Sequence, residues 1–384
     1  MNVALLGFGT VGFGVYEILK NTKGINVSYV LDLVKHDDIE AKSVTDITPI
    51  LEDKSVDTVI ELIGGINPAK KFVVAALNAG KNVVTANKFL ICENFKELST
   101  LAAENNVLLR YTAAVGGGIP WLVNLSRLSR LSPPDKISGI FNGTTNYILD
   151  SMETEKAEFS EALKAAQDLG YAEADPSADI DGLDTLRKIV ISSNIAFGGV
   201  FNSEETSLFG IRRIKKTDIE AAETLGAVCR LLGTAVKTEG GVSVYTEPAF
   251  IDKNSPFAAV KKNFNRISVS TPLDEDLGFF GAGAGRYPTA FTVVNDCLDL
   301  LSGNTAPYSD DFTERKIDNS LVSHRYYVRC NVPDEWLSSV SERVLGGGVI
   351  TKEIEVSEMH KNSERLLKED GELFFAEIQV GVLD

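Results

Sequence analysis

Over the first 125 residues the hydrophobic positions switch repeatedly between two patterns, short apolar runs of strand length and longer stretches with a helical repeat. Asn2 to Leu6 is an apolar run, Val11 to Lys20 has helical spacing, and Val27 to Leu31 and Thr58 to Ile63 are apolar again. Pro68 to Asn78 reads as a helix with Pro at its start and Gly80 just past its end, followed by the strand Asn82 to Thr85. Glu93 to Glu104 and Val107 to Thr112 repeat the helix and the strand. Parallel strands need crossover connections, so this series predicts an α/β fold: a doubly wound parallel sheet with helices on both faces.

After Pro120 the pattern changes. Ser132-Pro133-Pro134 reads as a boundary, followed by a strand at Ser138 to Phe141, a helix from Ser160 to Leu169 stopped by Gly170, and a long helix starting near Leu183. Strands at Val242 to Tyr245 and Arg266 to Ser270 complete an α+β second domain. Gly281 to Leu301 is a Gly-rich loop leading into one helix, too small to stand alone. The tail from about Val322 reads strand RYYVRCNV, helix DEWLSSVSERVL, strand VITKEIEV, helix HKNSERLLKED, strand ELFFAEIQV, a small third α+β unit. The expected division is therefore 1–131 completed by 281–305, then 132–280, then 320–384. With 384 residues and roughly 150 per domain, two or three domains are expected.

Composition narrows the class. With 44% hydrophobic and 24% charged residues the chain should fold, and no apolar run reaches the roughly 18 residues of a membrane span. The N-terminus has no Lys or Arg ahead of its apolar stretch, so no signal peptide is read and a cytoplasmic location is expected. A formal net charge of -16 repels phosphate backbones and anionic lipid, so neither nucleic acid nor membrane is expected as a partner. Cys92, Cys229, Cys297 and Cys330 are scattered without a CxxC spacing, which suits buried apolar positions in a reducing compartment better than a zinc site or disulfides.

Gly7, Gly9 and Gly12 form GxGxxG between a strand and a helix, with Thr10 and Val11 in the first helical turn. One glycine permits the tight turn, one admits a pyrophosphate to the backbone, and one packs helix on strand; the helix N-terminus supplies N–H groups and partial positive charge. Asp32 follows Gly12 by twenty positions at the end of the second strand, where a carboxylate accepts from a ribose and repels a 2′-phosphate. These features predict a Rossmann-type dinucleotide-binding domain that prefers NAD, with NADP the second choice because Lys35 and His36 are near enough to serve a phosphate.

Ligands of open α/β sheets lie at the carboxyl ends of the strands. There Asn82 to Thr85 runs into Ala86-Asn87-Lys88, which directs Lys88 to the cofactor crevice, although a lysine at a helix start is also common on plain surfaces. Glu61-Leu62-Ile63-Gly64-Gly65 and Ala114-Val115-Gly116-Gly117-Gly118 end neighbouring strands, with glycines that leave room for a nicotinamide ring.

Between Gly170 and Lys188 stand Glu173, Asp175, Asp179, Asp181 and Asp184. An EF-hand alignment with Gly182 at its sixth position puts Ser177 at position one and Lys188 at position twelve, where a bidentate Glu belongs, so the calcium reading fails and no metal site is assigned. Asp184 and Lys188, spaced i, i+4, share a helix face distinct from that of Leu183, Leu186 and Val190. Taken alone such a pair is a common feature of solvated helix surfaces. Turned toward a nicotinamide, it offers carboxylates for a substrate ammonium and an amine for a hydroxyl proton.

These stretches together closely resemble the homoserine dehydrogenase family: GFGTVG at Gly7, ELIGG at Glu61, TANK ending at Lys88, AAVGGGIP ending at Pro120, GIFNGTTNYIL from Gly139, LGYAEADPSADIDGLDTLRK from Leu169 and GAGAGRYPTA from Gly281. The likeness spans residues 1 to about 302. It implies interconversion of L-homoserine and L-aspartate 4-semialdehyde with NAD or NADP, in threonine, methionine and isoleucine biosynthesis. It implies Lys188 and Lys88 as the proton-handling pair, Asp184 beside the reacting hydroxyl, and Glu173 on the substrate amino group, with Gly143, Thr144 and Asp179 also at the substrate. Gly7, Gly9, Thr10, Val11, Gly12, Asp32, Gly64, Gly65, Asn87 and Gly285 fall at cofactor positions. A homodimer formed through the second domain is implied as well.

Three departures stand out. Family members often carry Glu where this chain has Thr112, so no monovalent cation site is assigned near Val115. Leu31 stands where many NADP-using relatives have Arg, which favours NAD. The tail resembles a shortened ACT-type regulatory domain but has Asp334-Glu335-Trp336 without the usual glycine at the first strand-to-helix turn. A phosphorylating semialdehyde dehydrogenase would need a cysteine nucleophile beside a histidine, and His36, His324 and His360 lie outside the expected site. A catalytically silent dinucleotide sensor would account for Gly7 to Gly12 and leave Lys88, Glu173, Asp184 and Lys188 unexplained.

Overall fold

The computed structural model describes residues 1–304, 306 and 308–380. Contacts group the chain into two compact units, one formed by Met1–Leu131, Asn194–Val200 and Gly281–Arg315, the other by Ser132–Ser193, Phe201–Phe280 and Lys316–Asp384.

The first unit carries six strands, β1 (Asn2–Leu6), β2 (Asn26–Leu31), β3 (Lys42–Val44), β4 (Thr58–Glu61), β5 (Asn82–Thr85) and β6 (Leu109–Arg110). All pair in parallel, in the order β3-β2-β1-β4-β5-β6. The order reverses between β1 and β4, and at that switch point the carboxyl ends of neighbouring strands open a crevice for a ligand. Strands buried on both faces read as unbroken apolar runs, and Val3, Ala4, Leu5 and Leu6 are fully buried. The helix Arg286–Leu301 packs on Thr10–Leu19: a Cβ on Gly14 would lie 2.8 Å from Cγ of Arg286 and 3.3 Å from Cβ of Ala290. Ala290, Val293, Val294 and Cys297 join the core built on Val3, Leu5 and Val15, which is how this late segment finds its partner.

The second unit is built on a ten-stranded mixed sheet. Lys136–Ile140 pairs with both Ala227–Thr238 and Phe264–Thr271, and Ala227–Thr238 forms a long antiparallel pair with Gly241–Asp252. The helix Leu183–Ala196 approaches Ala227–Thr238 at Gly233, where a Cβ would lie 3.0 Å from Cγ2 of Thr185 and 3.1 Å from Cβ of Ile189. A bare backbone there lets the helix carrying Asp184 and Lys188 lie close on the sheet.

The tail shares this sheet. Phe374–Gln379 pairs in parallel with Gly241–Asp252, and Tyr326–Arg329 and Gly348–Thr351 continue from it. The helix expected over DEWLSSVSERVL stops after Glu335–Val340, and Ser341–Leu345 is a strand paired with Gly348–Thr351. Gly346 and Gly347 allow the tight hairpin, Gly346 with φ +53, and the pairing across it overrides the helical spacing. The helix expected from His360 begins earlier, at Val356, and ends at Leu366. Among the described residues no helix is long and apolar enough to cross a membrane.

Candidate active site

The glycine loop, Asp32 and Lys88 belong to the first unit. Gly7 leaves β1 with φ +95, its N–H donating to Leu31 O at 2.8 Å, and a Cβ there would lie 2.9 Å from Leu62 O. A Cβ on Gly12 would sit 2.2 Å from Gly7 O, whereas one on Gly9 would meet nothing within 4 Å. Gly7 and Gly12 thus set the turn, and Gly9 leaves the open surface that a pyrophosphate needs. Thr10 and Val11 begin the helix Thr10–Leu19, whose first N–H groups have no partners within the helix. These residues fit a dinucleotide.

Asp32 follows the end of β2, as expected. Its Oδ1 accepts the N–H of Leu33 at 2.6 Å and its Oδ2 lies 3.1 Å from His36 Nε2. The His36 ring also packs against Phe8, 4.7 Å between centroids. His36 thus orients Asp32, a role that the sequence shows only as an i, i+4 spacing, while Lys35 is exposed.

Glu61 at the end of β4 organises the next loop. Its Oε1 accepts the N–H groups of Ile63 and Gly64 at 2.8 and 3.2 Å, and its Oε2 accepts the Thr85 hydroxyl at 2.6 Å. Burial raises its carboxyl above the usual range, against the pull of those donors. Gly64 and Gly65 have φ of +80 and +66, and Gly65 O accepts the Asn87 side-chain amide at 2.6 Å. Asn87 also caps the helix Lys88–Glu104, its Oδ1 accepting from Leu90 N at 3.1 Å. Lys88, half-buried, is thereby fixed at the first position of that helix, beyond the end of β5. Gly285, φ +118, precedes the helix Arg286–Leu301.

In the second unit a buried polar centre forms at Asn142, between the strand Lys136–Ile140 and the helix Gly143–Thr154. Its Nδ2 donates to Asp179 Oδ1 at 2.7 Å and to Asp184 Oδ2 at 2.8 Å, while its Oδ1 caps the helix through Thr145 N at 2.8 Å. The Lys188 ammonium donates to Asp184 Oδ2 and to Phe141 O, each at 2.7 Å, and the Lys188 and Asp184 side chains are 8% and 4% exposed. Asn265 Nδ2 donates to the same Phe141 carbonyl at 2.7 Å. A charged pair so deeply buried is costly unless hydrogen-bonded further, and here the Asn142 amide bonds the carboxylate and the Phe141 carbonyl bonds the ammonium. The solvated-surface reading of this i, i+4 pair is excluded by its burial.

Around this centre Gly143 lies against Asn263, whose O would be 2.5 Å from a Cβ, and the Thr144 hydroxyl donates to Tyr171 O at 2.7 Å. Glu173 is exposed, with its carbonyl accepting from Gln167 Nε2 at 3.2 Å. The acidic segment thus divides by role. Asp179 and Asp184 join the Asn142 network, whereas Asp181 forks onto Arg212 at 2.6 and 2.7 Å and Asp175 accepts from Ser177 N. Asn142, Asn265 and the Phe141 carbonyl are additions to the sequence reading. Only the Asn before a Gly-Thr-Thr helix start could have signalled the first of them.

Comparison with known proteins decides the family. Residues 120–298 match the family model described as homoserine dehydrogenase, and residues 7–112 match that of the homoserine dehydrogenase NAD binding domain. A homoserine dehydrogenase of Lactococcus lactis is 35% identical, covering 87% of this chain and 83% of its own length. That of Synechocystis is 39% identical over 78% of this chain and 73% of its own. The chain belongs to the homoserine dehydrogenase family. A solved homoserine dehydrogenase from Thiobacillus denitrificans superposes with a TM-score of 0.87 at 28% identity, covering 99% of this chain and 98% of that one.

In the first unit, the turn at Thr112 is held by a carboxylate from the helix Arg286–Leu301. The Thr112 hydroxyl donates to Asp296 Oδ1 at 2.7 Å, its N–H to Oδ2 at 3.1 Å, and Tyr308 OH to Oδ1 at 2.8 Å. Asp296 is fully buried, and burial pushes its carboxyl up to about 6 despite these donors.

Proposed function

We propose that the chain interconverts L-homoserine and L-aspartate 4-semialdehyde, as its family membership and its NAD-binding domain support. The observation that carries the residue roles is the buried Lys188–Asp184 pair held by Asn142 and Phe141 O. Gly7, Gly9, Thr10, Val11 and Gly12 would hold the pyrophosphate, Asp32 the ribose, and Gly64, Gly65, Asn87 and Gly285 the remainder of an NAD or NADP molecule. That cofactor supplies the hydride chemistry; the chain's task is to orient the substrate and move one proton.

Reduction of an aldehyde develops negative charge on its oxygen, and a fixed ammonium in a low-dielectric site both offsets that charge and can donate a proton to it. Lys188 is the group assigned that role. Asp184 aims the amine, and Asn142 restrains the carboxylate. Lys88 is assigned as the second proton-handling amine. Glu173, with Asp179, Gly143 and Thr144, is assigned to the substrate's amino-acid end, an exposed carboxylate being available to an ammonium.

Asp32 favours NAD, because a carboxylate accepts from a 2′-hydroxyl and repels a 2′-phosphate. The reading extends to a homodimer assembled through the second unit and to a cytoplasmic enzyme of amino-acid biosynthesis. The test is a homoserine-dependent rise in absorbance at 340 nm, run with NAD and NADP in parallel and in the presence and absence of threonine. Sedimentation of the same sample tests the dimer.

A further inference from the structure

A second cluster of ionisable groups lies in the second unit, where the tail joins the sheet. Glu247 is on the strand Gly241–Asp252 and Glu377 on Phe374–Gln379, neighbouring parallel strands whose register pairs Ala249 with Glu377. Glu247, two residues before Ala249, therefore faces the same side as Glu377. His324 completes the group, and the ligand atoms that the three residues offer all lie within 4.8 Å of one another. Both carboxylates are essentially buried, at 1% and 2% exposure. Glu377 Oε1 is 3.1 Å from His324 Nδ1, while its Oε2 is buried with no hydrogen-bond partner among the described residues.

Two carboxylates and two imidazoles meet here. His360 lies 2.7 Å from Glu247 Oε2. Two adjacent buried carboxylates require a proton or a cation between them.

We propose that Glu247, His324 and Glu377 form a binding site for a divalent transition-metal ion of the zinc or manganese type, which clamps the tail onto the sheet. Two carboxylates and one imidazole suit that class better than magnesium or calcium, which take all-oxygen shells. A dication neutralises both carboxylates and gives Glu377 Oε2 the partner that it lacks. The surrounding groups are those of an outer coordination shell: Tyr245 OH is 2.8 Å from His324 Nε2, fixing the ring with Nδ1 toward Glu377, and Tyr326 OH donates to Glu247 Oε1 at 3.3 Å while His360 holds Oε2. Strands distant in sequence bring these residues together, so no local spacing announces the site.

The experiment uses the full chain, stripped with EDTA and titrated with Zn²⁺ and with Mn²⁺ by calorimetry, with metal content measured by mass spectrometry and folding by circular dichroism. The expected result is one equivalent of either metal per chain, with a raised thermal midpoint. Stoichiometric binding should be lost in Glu377→Gln and in His324→Ala, and weakened about 10–100-fold in Tyr245→Phe. His324 is only half-buried, so His324→Ala decides the matter if Glu377→Gln does not fold. Absence of stoichiometric binding by folded wild type, or equal binding by wild type and His324→Ala, overturns the proposal. A Glu247→Gln variant that is more stable than wild type whether or not metal is added also overturns it, in favour of a shared proton.

Discussion

Nζ of Lys188 and Oδ2 of Asp184 lie 2.7 Å apart one helical turn from each other, and that oxygen also accepts from Asn142 Nδ2 at 2.8 Å. One carboxylate oxygen therefore serves an ammonium and an amide at once, out of contact with water. Removing either charge leaves the other buried without its counterpart, which costs about 3–5 kcal/mol. Asp184→Ala should destabilise the fold on that scale, measured by urea denaturation, and Asp184→Asn by less because it keeps the shape and a hydrogen-bonding oxygen. Equal stability of Asp184→Ala and wild type would contradict the buried pair.

Asn142 joins Asp179, Asp184 and the start of the helix Gly143–Thr154 through a single side chain. Asn142→Ala loses a helix cap and two charge-assisted bonds, a cost of about 2–4 kcal/mol. Asn142→Asp keeps the cap but sets a third carboxylate against two others. Steady-state kinetics should therefore show Asn142→Asp losing kcat more severely than its stability loss explains. Wild-type kcat in that variant would remove Asn142 from the site.

The glycine loop separates two effects. Gly12→Ala drives a Cβ to 2.2 Å from Gly7 O and should lower both stability and NAD affinity. Gly9→Ala meets no protein atom within 4 Å, so its melting temperature should match wild type while NAD binding weakens, as read by fluorescence titration. Unchanged affinity in Gly9→Ala would place the pyrophosphate elsewhere.

Asp296 links stability to pH. Its folded carboxyl titrates near 6, above its ordinary value of 3.8. A group raised in the folded state gives its full contribution below 3.8, and that contribution is lost as pH climbs through 6, for a total of about 3 kcal/mol. Relative to Asp296→Asn, wild type should lose that amount between pH 4 and pH 7 in chemical denaturation. A difference that stays constant over this window would contradict the shift.

Much of the nucleotide-binding unit was legible because its physics is local. The bounds of β1 and β5 coincide with the apolar runs Asn2 to Leu6 and Asn82 to Thr85, and Gly7 to Gly12 needs only its flanking strand and helix. The second unit hid more. Ala227–Thr238 is buried along nine consecutive residues, so it lacks the alternation that marks a strand, and Gly233 inside it reads as a breaker until the helix packed on it is seen. Ser341–Leu345 has helix-forming spacing and becomes a strand only through pairing across Gly346 and Gly347. At the site, Asp184 and Lys188 could be placed on one face from their spacing. Their burial, and the convergence of Asn142, Asn265 and the Phe141 carbonyl on them, depends on contacts across 37 to 124 positions of sequence that no local pattern encodes.

The role of Lys188 as the proton donor to the substrate oxygen is tested most directly by Lys188→Ala, assayed beside wild type for homoserine-dependent formation of reduced NAD at 340 nm, with NAD affinity measured on the same samples. A loss of about 10²–10⁴-fold in kcat with an unchanged NAD dissociation constant is expected. Turnover at the wild-type rate in a folded, NAD-binding Lys188→Ala would contradict it.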